Sequence, residues 1–229
     1  MGNNIEEAAK MTIKDAITAR HSVRSYESKP IPADMRREIE KTVARSNERS
    51  GLNIQVIWDC PEVFEGKIKG AENCIALIGK KSSDLDENIG YFGAEIMLVL
   101  QTLGLNSVWV AMSFNKKEAL RRCALKDGEI LLNALAFGYG ATQGRSRKSK
   151  PADKISECKG EAPQWFKDGV EAALLAPTAI NQQKFLIRYD GKDVTFKAKL
   201  GPYSKVDLGI VKYFFEIGSK DGREQYGVK

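Results

Sequence analysis

The sequence predicts an α+β fold in which helices flank a mixed sheet. Helical and strand patterns alternate irregularly along the 229 residues, an arrangement also compatible with a doubly wound parallel sheet. A tight turn at Asp190-Gly191 between two strand patterns, however, is typical of a hairpin, whose strands are antiparallel. The order of elements also starts again near residue 149. We therefore expect a mixed or antiparallel sheet assembled from two tandem halves.

The chain begins with a polar, acidic stretch, 1–10, which we interpret as an extension ahead of the fold. Ile13, Ala16 and Ile17 then share one face of a predicted helix over 11–20. This first helix is short, and it ends in a cluster of basic and hydroxyl side chains.

A second helix is predicted over 33–47, after two prolines that break the chain. Met35, Ile39 and Val43 recur every four residues among charged side chains, which is the pattern of an amphipathic helix. Apolar and polar residues alternate over 53–59, which predicts a strand.

The central helix of the first half is predicted over 87–103, where apolar residues occur nearly all round the helix. Such a helix is buried in the middle of a fold or at an interface, and Gly104 is a natural stop for it. A later short helix is predicted to begin at Asn115, because Glu118 completes a capping box. The remaining predicted elements of this half are three strands and that short helix: 74–78, 107–111, 115–120 and 131–137.

The second half repeats this order in abbreviated form. After a basic linker, 144–151, we expect a helix over 165–175, the hairpin around Asp190, and an apolar helix over 206–217. Three pairs of similar segments are separated by roughly 120–130 residues, which indicates an internal duplication: 28–30 with 149–151, 53–55 with 181–183, and 89–90 with 208–209. The predicted organisation is an extension, 1–10, then halves 11–148 and 149–229 that form one integrated unit.

Composition restricts the class of protein. A hydrophobic fraction of 42% can form a normal core. The net charge of +6 and pI of about 9.0 favour an anionic partner, although a mildly basic enzyme is commoner than a nucleic-acid binder at this level. Four widely spaced cysteines without a Cys-x-x-Cys motif argue against a zinc site and indicate reduced thiols. No apolar run reaches the ~18 residues of a membrane span, and we expect a cytoplasmic protein.

Two polar stretches, Arg20–Tyr26 and Ala176–Gln183, are the candidate functional site. The first offers guanidinium groups, a hydroxyl and His21, the only histidine of the chain. The second is a small polar turn after an apolar helical run. Charge-assisted hydrogen bonds from such groups suit a phosphorylated, planar cofactor, whose phosphate carries about two negative charges. The function therefore depends on whether the two stretches meet.

These residues carry a resemblance to a known family. Arg20-His21-Ser22-Val23-Arg24-Ser25-Tyr26 after a short helix resembles the opening motif of the nitroreductase family of FMN-dependent oxidoreductases. The second stretch resembles that family's Pro-Ser/Thr-x-x-Asn-x-Gln-Pro turn, with Lys184 in place of the last proline. The resemblance spans about 11–218. Two further segments are similar to the family: the helix 87–103 followed by 104–109, and 137–140 followed by 145–148.

The resemblance implies the fold and the architecture of the site. In this family two subunits usually complete each FMN site, one with the Arg-His-Ser motif and basic tail, the other with the Pro-Thr-Asn turn. Here the intact Arg-His-Ser motif lies in the first half and the intact Pro-Thr-Asn turn in the second, which resembles a fused pseudo-dimer. The first-half turn, Ser50–Asn53, is degraded. One flavin per chain follows, and the chain would complete its site alone, with further oligomerisation possible.

The resemblance also implies residue roles. Arg20, Ser22 and Arg147 would hold the phosphate, assisted by Arg145 or Lys148. His21 would lie near the ribityl chain, and Arg24 would approach the N1/O2 edge of the ring. Three residues of the other half would flank the ring: Pro177, Thr178 and Asn181.

The implied reaction passes hydride from NADH or NADPH to flavin N5, and then to an electron-poor small molecule such as a nitroaromatic or a quinone. The flavin carries this chemistry, so we expect no catalytic side chain, no metal and no membrane or nucleic-acid partner. Two alternatives remain open: a flavin-binding protein without turnover, and a basic nucleic-acid-binding module.

Overall fold

The computed structural model describes residues 11–64, 66 and 68–219, so the predicted extension 1–10 lies outside the described residues. The helices are α1 (Ile13–Ala19), α2 (Ala33–Ser50), α3 (Leu85–Thr102), α4 (Lys116–Arg121), α5 (Gln164–Leu174) and α6 (Ser204–Gly218). The strands are β1 (Gln55–Ile57), β2 (Asn73–Lys80), β3 (Asn106–Val110), β4 (Glu129–Gly138), β5 (Ser156–Cys158), β6 (Phe185–Tyr189) and β7 (Val194–Ala198).

The strands form two sheets, and the predicted α+β class with a mixed sheet is confirmed. The larger sheet has the order β1-β2-β4-β3 with antiparallel neighbours. The smaller sheet has the order β5-β6-β7, in which β5 is parallel to β6 and β7 antiparallel to it. The β6–β7 hairpin turns at Asp190, whose carboxylate accepts the Lys192 and Asp193 amides at 2.9 and 2.8 Å. The sequence prediction missed β5, which is only three residues long.

The order helix-strand-strand-helix occurs twice along the chain. It runs α2-β1-β2-α3 in the first half and α5-β6-β7-α6 in the second, and both strand pairs are antiparallel. One hydrophobic cluster includes buried residues from α3 and α6 together with residues of both sheets. The two halves therefore share a core.

Helices α3 and α6 lie at the centre of this core. Ten residues of α3 and eleven of α6 are buried, as expected for helices that are apolar nearly all round. Their backbones touch where Gly90 faces Gly209, since a Cβ atom on Gly90 would lie 3.0 Å from the Cα atom of Gly209. Among the described helices, none is long and apolar enough to cross a membrane.

Candidate functional site

The two polar stretches meet at one cavity of about 560 Å³. Residues from α1, β3, the linker between the halves, the turn after α5 and the start of α6 line it. The structure brings nine residues predicted for the site to this cavity: Arg20, His21, Ser22, Arg24, Arg145, Arg147, Pro177, Thr178 and Asn181. Lys148, predicted as an alternative to Arg145, is not among the lining residues.

The first stretch is held against the edge of the larger sheet. Ser22 forms a parallel bridge with Ser107 in β3, and the Val23 amide donates to the Ser107 carbonyl at 3.2 Å. The buried Tyr26 hydroxyl donates to the carbonyls of Val23 and Ala136, at 2.8 and 3.2 Å. The chain leaving α1 is therefore fixed against β3, and residues 20–24 line the cavity.

The linker between the halves crosses over this stretch. Gly144 has φ +76°, and a Cβ atom there would lie 2.7 Å from the Cβ atom of His21. Only glycine fits both the left-handed backbone and the close approach. The crossing places the basic residues that follow, Arg145 and Arg147, beside Arg20 and His21 at the cavity.

The linker then binds the turn of the second half. Asn181 Nδ2 donates to the Lys148 carbonyl at 2.9 Å. Lys150 Nζ donates to the carbonyls of Gln182 and Gln183 at 2.7 and 3.1 Å, and the Lys150 amide donates to Gln183 Oε1 at 2.7 Å. These bonds tie the basic linker between the halves to the turn of the second half.

The turn itself has an unusual backbone. Ile180, Asn181 and Gln183 have φ of 48°, 55° and 45°, a region that residues other than glycine rarely adopt, β-branched residues least of all. The Gln183 amide donates to Thr178 Oγ1 at 3.1 Å. Strained backbone of this kind persists where surrounding contacts enforce it, and it clusters at binding sites.

Two guanidinium groups share one end of the cavity. Arg20 is 5% exposed, and the half-buried Arg147 lies close enough to repel it. Both Nη2 atoms donate to the Leu175 carbonyl at the end of α5, at 3.5 and 2.9 Å, and that of Arg147 also donates to the Ala176 carbonyl. The Arg20 Nε atom is buried without a hydrogen-bond partner. Among the described residues, no carboxylate forms an ion pair with either group within 4.0 Å.

This arrangement changes the proton affinities at that end of the cavity. Burial, and then the charge of Arg147, lower the pKa of Arg20 to about 9, so Arg20 remains a cation at neutral pH. Burial also lowers the pKa of Arg147, while Asp207 acts in the opposite direction. Burial and the two arginine charges lower the pKa of His21, which therefore is a neutral imidazole at pH 7.

A purely structural role for the two arginines is helix capping. Cations at the C-terminus of a helix interact favourably with its last carbonyl groups, and Leu175 is the C-cap of α5. Each guanidinium carries five N–H donors, however, and in both residues the contacts to α5 use only Nη2. Capping therefore leaves most donors of this pair available to an anion.

The cavity lining includes residues that were not predicted from the sequence, among them Trp109, Asn133, Tyr203 and Asp207. Trp109 is half-buried at the cavity, and its indole nitrogen donates to Met97 Sδ at 3.3 Å. Asp207 is 4% exposed in the apolar helix α6. A carboxylate between the apolar residues Val206 and Leu208 was a signal that could have drawn attention to this position, although it does not indicate what the carboxylate binds.

Comparison with known proteins matches this chain to the family described as "Putative TM nitroreductase", over residues 12–219. A Thermotoga maritima structure described as a "putative nitroreductase" covers 100% of this chain and 93% of its own, with a TM-score of 0.67 and 23% identity. A "putative nitroreductase in complex with FMN" from Desulfovibrio desulfuricans covers 62% of this chain and 94% of its own, with a TM-score of 0.50 and 18% identity.

A nitroreductase family protein from Streptococcus pneumoniae covers 64% of this chain and 99% of its own, with a TM-score of 0.50 and 16% identity. At these identities the solved structures show a shared fold. No curated protein matches the sequence. The family match extends over nearly the whole described chain, including both polar stretches that line the cavity. The chain therefore belongs to the nitroreductase family described as "Putative TM nitroreductase".

Proposed function

We propose that this protein binds FMN in the cavity and acts as an oxidoreductase that passes electrons from NADH or NADPH to an electron-poor acceptor, such as a nitroaromatic or a quinone. The observation that carries the proposal is the pair of cations, Arg20 and Arg147, which line the cavity without a carboxylate partner among the described residues. FMN in the Desulfovibrio relative supports the choice of ligand.

The donor set fits the chemistry of FMN. A phosphate monoester carries about −1.5 to −2 charges at pH 7 and accepts charge-assisted hydrogen bonds, which Arg20, Arg147 and the half-buried Ser22 hydroxyl offer at one end of the cavity. The Asn181 Oδ1 atom is buried without a partner and can accept a hydrogen bond from a ligand donor. The cavity volume of about 560 Å³ lies in the usual range for cofactor sites.

The remaining site residues would orient the ring. Arg24 is exposed, and in this proposal its cation stabilises negative charge at the N1/O2 edge of the ring. His21 would lie near the ribityl chain as a neutral group, while Pro177, Thr178 and Asn181 would flank the ring from the second half. Bound FMN supplies the two-electron chemistry. The protein contributes binding, orientation and electrostatic tuning.

We further propose that one chain completes the site as a fused pseudo-dimer. Residues 20–24 and 145–147 of the first half and 177–181 of the second half line the same cavity within a single chain. At the degraded turn of the first half, Asn53 Nδ2 donates to the Ala124 carbonyl and to Glu129 Oε2, at 2.9 and 2.7 Å. That turn is satisfied by its own half, which supports one flavin per chain.

The position of the cations favours a small anion over a nucleic acid. A nucleic-acid module spreads its basic side chains over a surface, whereas Arg20 is buried and Arg147 is half-buried beside it in a cavity. A flavin carrier without turnover would use the same binding site, so only a kinetic measurement separates it from an enzyme.

The test is reconstitution of the purified protein with FMN, followed by its visible spectrum and by steady-state oxidation of NADH and NADPH with a quinone as acceptor. We expect a bound-flavin spectrum and oxidation that depends on both FMN and acceptor. The double variant Arg20→Ala/Arg147→Ala is the control and should purify as apoprotein. A wild-type protein that retains no flavin would refute the proposal, and one that retains flavin without oxidising either nucleotide would be a carrier.

A further inference from the structure

A buried carboxylate holds one wall of the cavity in place. Asp207 lies in the first turn of α6, is 4% exposed and lines the cavity. Its Oδ1 atom accepts the backbone amide of Ala179 at 2.9 Å, and its Oδ2 atom accepts the Gln182 side-chain amide at 2.7 Å. Both oxygens thus bind the turn that follows α5.

This turn requires external support because its backbone is strained. Ile180 and Asn181 have left-handed conformations that cost free energy for residues other than glycine. The bonds within the turn are few. The backbone amides of Asn181 and Gln182 donate to the Thr178 and Ala179 carbonyls at 2.9 and 3.0 Å, and the Gln183 amide donates to Thr178 Oγ1 at 3.1 Å. Contacts from neighbouring segments therefore have to maintain its shape.

Those contacts come from two sides. Lys150 of the linker binds the carbonyl groups of Gln182 and Gln183. On the cavity side, Asp207 binds an amide hydrogen at the start of the turn and the side chain at its end. Gln182 Nε2 also donates to the Pro202 carbonyl at 2.7 Å, which joins the turn to the loop before α6.

We infer that Asp207 is a positioning residue of the site, which acts on the ligand through the turn. It holds Ala179 and Gln182 so that the neighbouring Thr178 and Asn181 side chains face the cavity, and its negative charge lies near the Arg147 guanidinium. The effect on cofactor affinity rests on the proposed function, whereas the fixing of the turn is a property of the apoprotein.

The first experiment uses the full-length apoprotein and measures amide hydrogen exchange of Ala179 by NMR. Asp207→Ala should accelerate this exchange by about tenfold or more, because the amide loses its acceptor. Asp207→Asn keeps one oxygen for the amide, so its rate should lie between those of the wild type and Asp207→Ala. Asp86→Ala is the matched control, since Asp86 occupies the first turn of α3, away from the cavity lining, and should leave the rate unchanged.

The second experiment measures the FMN dissociation constant of the same proteins and of Gln182→Ala. Asp207→Ala should weaken FMN binding by about tenfold, with partial rescue in Asp207→Asn. If Asp207 acts through the turn, the double variant Asp207→Ala/Gln182→Ala should lose less affinity than the product of the two single losses. A purely global loss of stability would not give this coupling, and thermal melts of each variant check for it.

The outcomes separate the two claims. Unchanged exchange at Ala179 in Asp207→Ala, or wild-type FMN affinity in a variant whose turn exchanges faster, would overturn the positioning role. A wild-type protein that binds no FMN, with exchange at Ala179 accelerated as expected, would refute the proposed function and leave the fixing of the turn supported. If Asp207→Ala does not fold, Asp207→Asn and Gln182→Ala supply the same comparison.

Discussion

Gly90 and Gly209 face each other across the α3–α6 crossing in a reciprocal contact. A Cβ atom on Gly90 would collide with the carbonyl oxygen of Val206, three residues before Gly209, and one on Gly209 would collide with the carbonyl oxygen of Glu87, three residues before Gly90. A contact in which each partner meets the equivalent residue of the other is typical of a two-fold interface. The same glycines had been matched by the sequence repeat.

Because the two helices cross so closely, a side chain at Gly209 should destabilise the fold. Gly209→Ala places a methyl group against the backbone of α3, with the nearest amide nitrogen, that of Tyr91, at 2.7 Å. Since backbone cannot move aside easily, we expect a loss of about 1–3 kcal/mol in the free energy of unfolding, measured by denaturant titration. Lys205→Ala, at an exposed position of the same helix, is the control. A Gly209→Ala protein as stable as the control would contradict the close crossing.

Removal of the buried Arg20 cation should raise the stability of the apoprotein and abolish FMN binding. Replacing Arg20 by Met removes an unpaired buried charge and keeps an apolar side chain of similar length, so apoprotein stability should rise by on the order of 1–4 kcal/mol. FMN binding should be lost in the same variant. Thermal melts of apoprotein and flavin content after reconstitution test both effects.

Arg145→Met, at an exposed position, is the control for Arg20→Met and should change stability by less than about 0.5 kcal/mol. A destabilised Arg20→Met protein that still retained a full complement of flavin would show that Arg20 is a structural residue and does not hold the phosphate.

Replacing Arg24 should change the reduction potential of the bound flavin without affecting the fold. The side chain is exposed, so Arg24→Ala should keep the fold and the flavin. Loss of one charge-assisted contact, about 1.5–3 kcal/mol, should lower the two-electron potential of the bound flavin by roughly 30–60 mV. A spectroelectrochemical titration measures this shift, and an unchanged potential would remove Arg24 from the ring edge.

The titration of Asp207 should make the stability of the apoprotein depend on pH. Burial raises the pKa of Asp207 to about 6, against the opposing effects of the Gln182 and Ala179 hydrogen bonds and the Arg147 charge. Between pH ~4 and ~6 the folded state therefore binds more protons at this group than the unfolded state. Protonation of Asp207 in the folded state therefore stabilises the apoprotein below pH ~4, and this stabilisation is lost as the pH rises through ~6.

The check is the difference in unfolding free energy between wild type and Asp207→Asn as a function of pH. The other carboxylates contribute equally to the pH dependence of both proteins, so their contributions cancel in this difference. From pH ~3 to ~7 the wild type should lose up to about 3 kcal/mol relative to the variant, most of it between pH ~4 and ~6. A flat difference, or one with the opposite slope, would mean that Asp207 is not desolvated by the fold.

Sequence reasoning located the elements because their patterns are local. The four-residue spacing in α2 and the all-round apolar surface of α3 predicted both helices within a few residues of their bounds. The two polar stretches were placed at one site because they resemble known motifs, and the structure confirms that they meet. Strand β5 was missed because its three residues are too few to show the alternation of apolar and polar residues that predicts a strand.

The contributions of Asp207 and Gly144 could not be predicted because they depend on contacts distant along the chain. Asp207 binds residues 25 and 28 positions away, and nothing near it in sequence indicates an acceptor for that turn. Gly144 follows a glycine-rich segment, yet its requirement comes from His21, which approaches it only in the fold.

Native mass spectrometry of the reconstituted protein, combined with its visible spectrum, tests the central claim most directly. We expect a species of one 25.4 kDa chain with one FMN, stable on dilution. A chain that carries no flavin would contradict the proposed function. Flavin found only in a dimer and released when the dimer is diluted would contradict the fused site, because the cavity would then need a second chain.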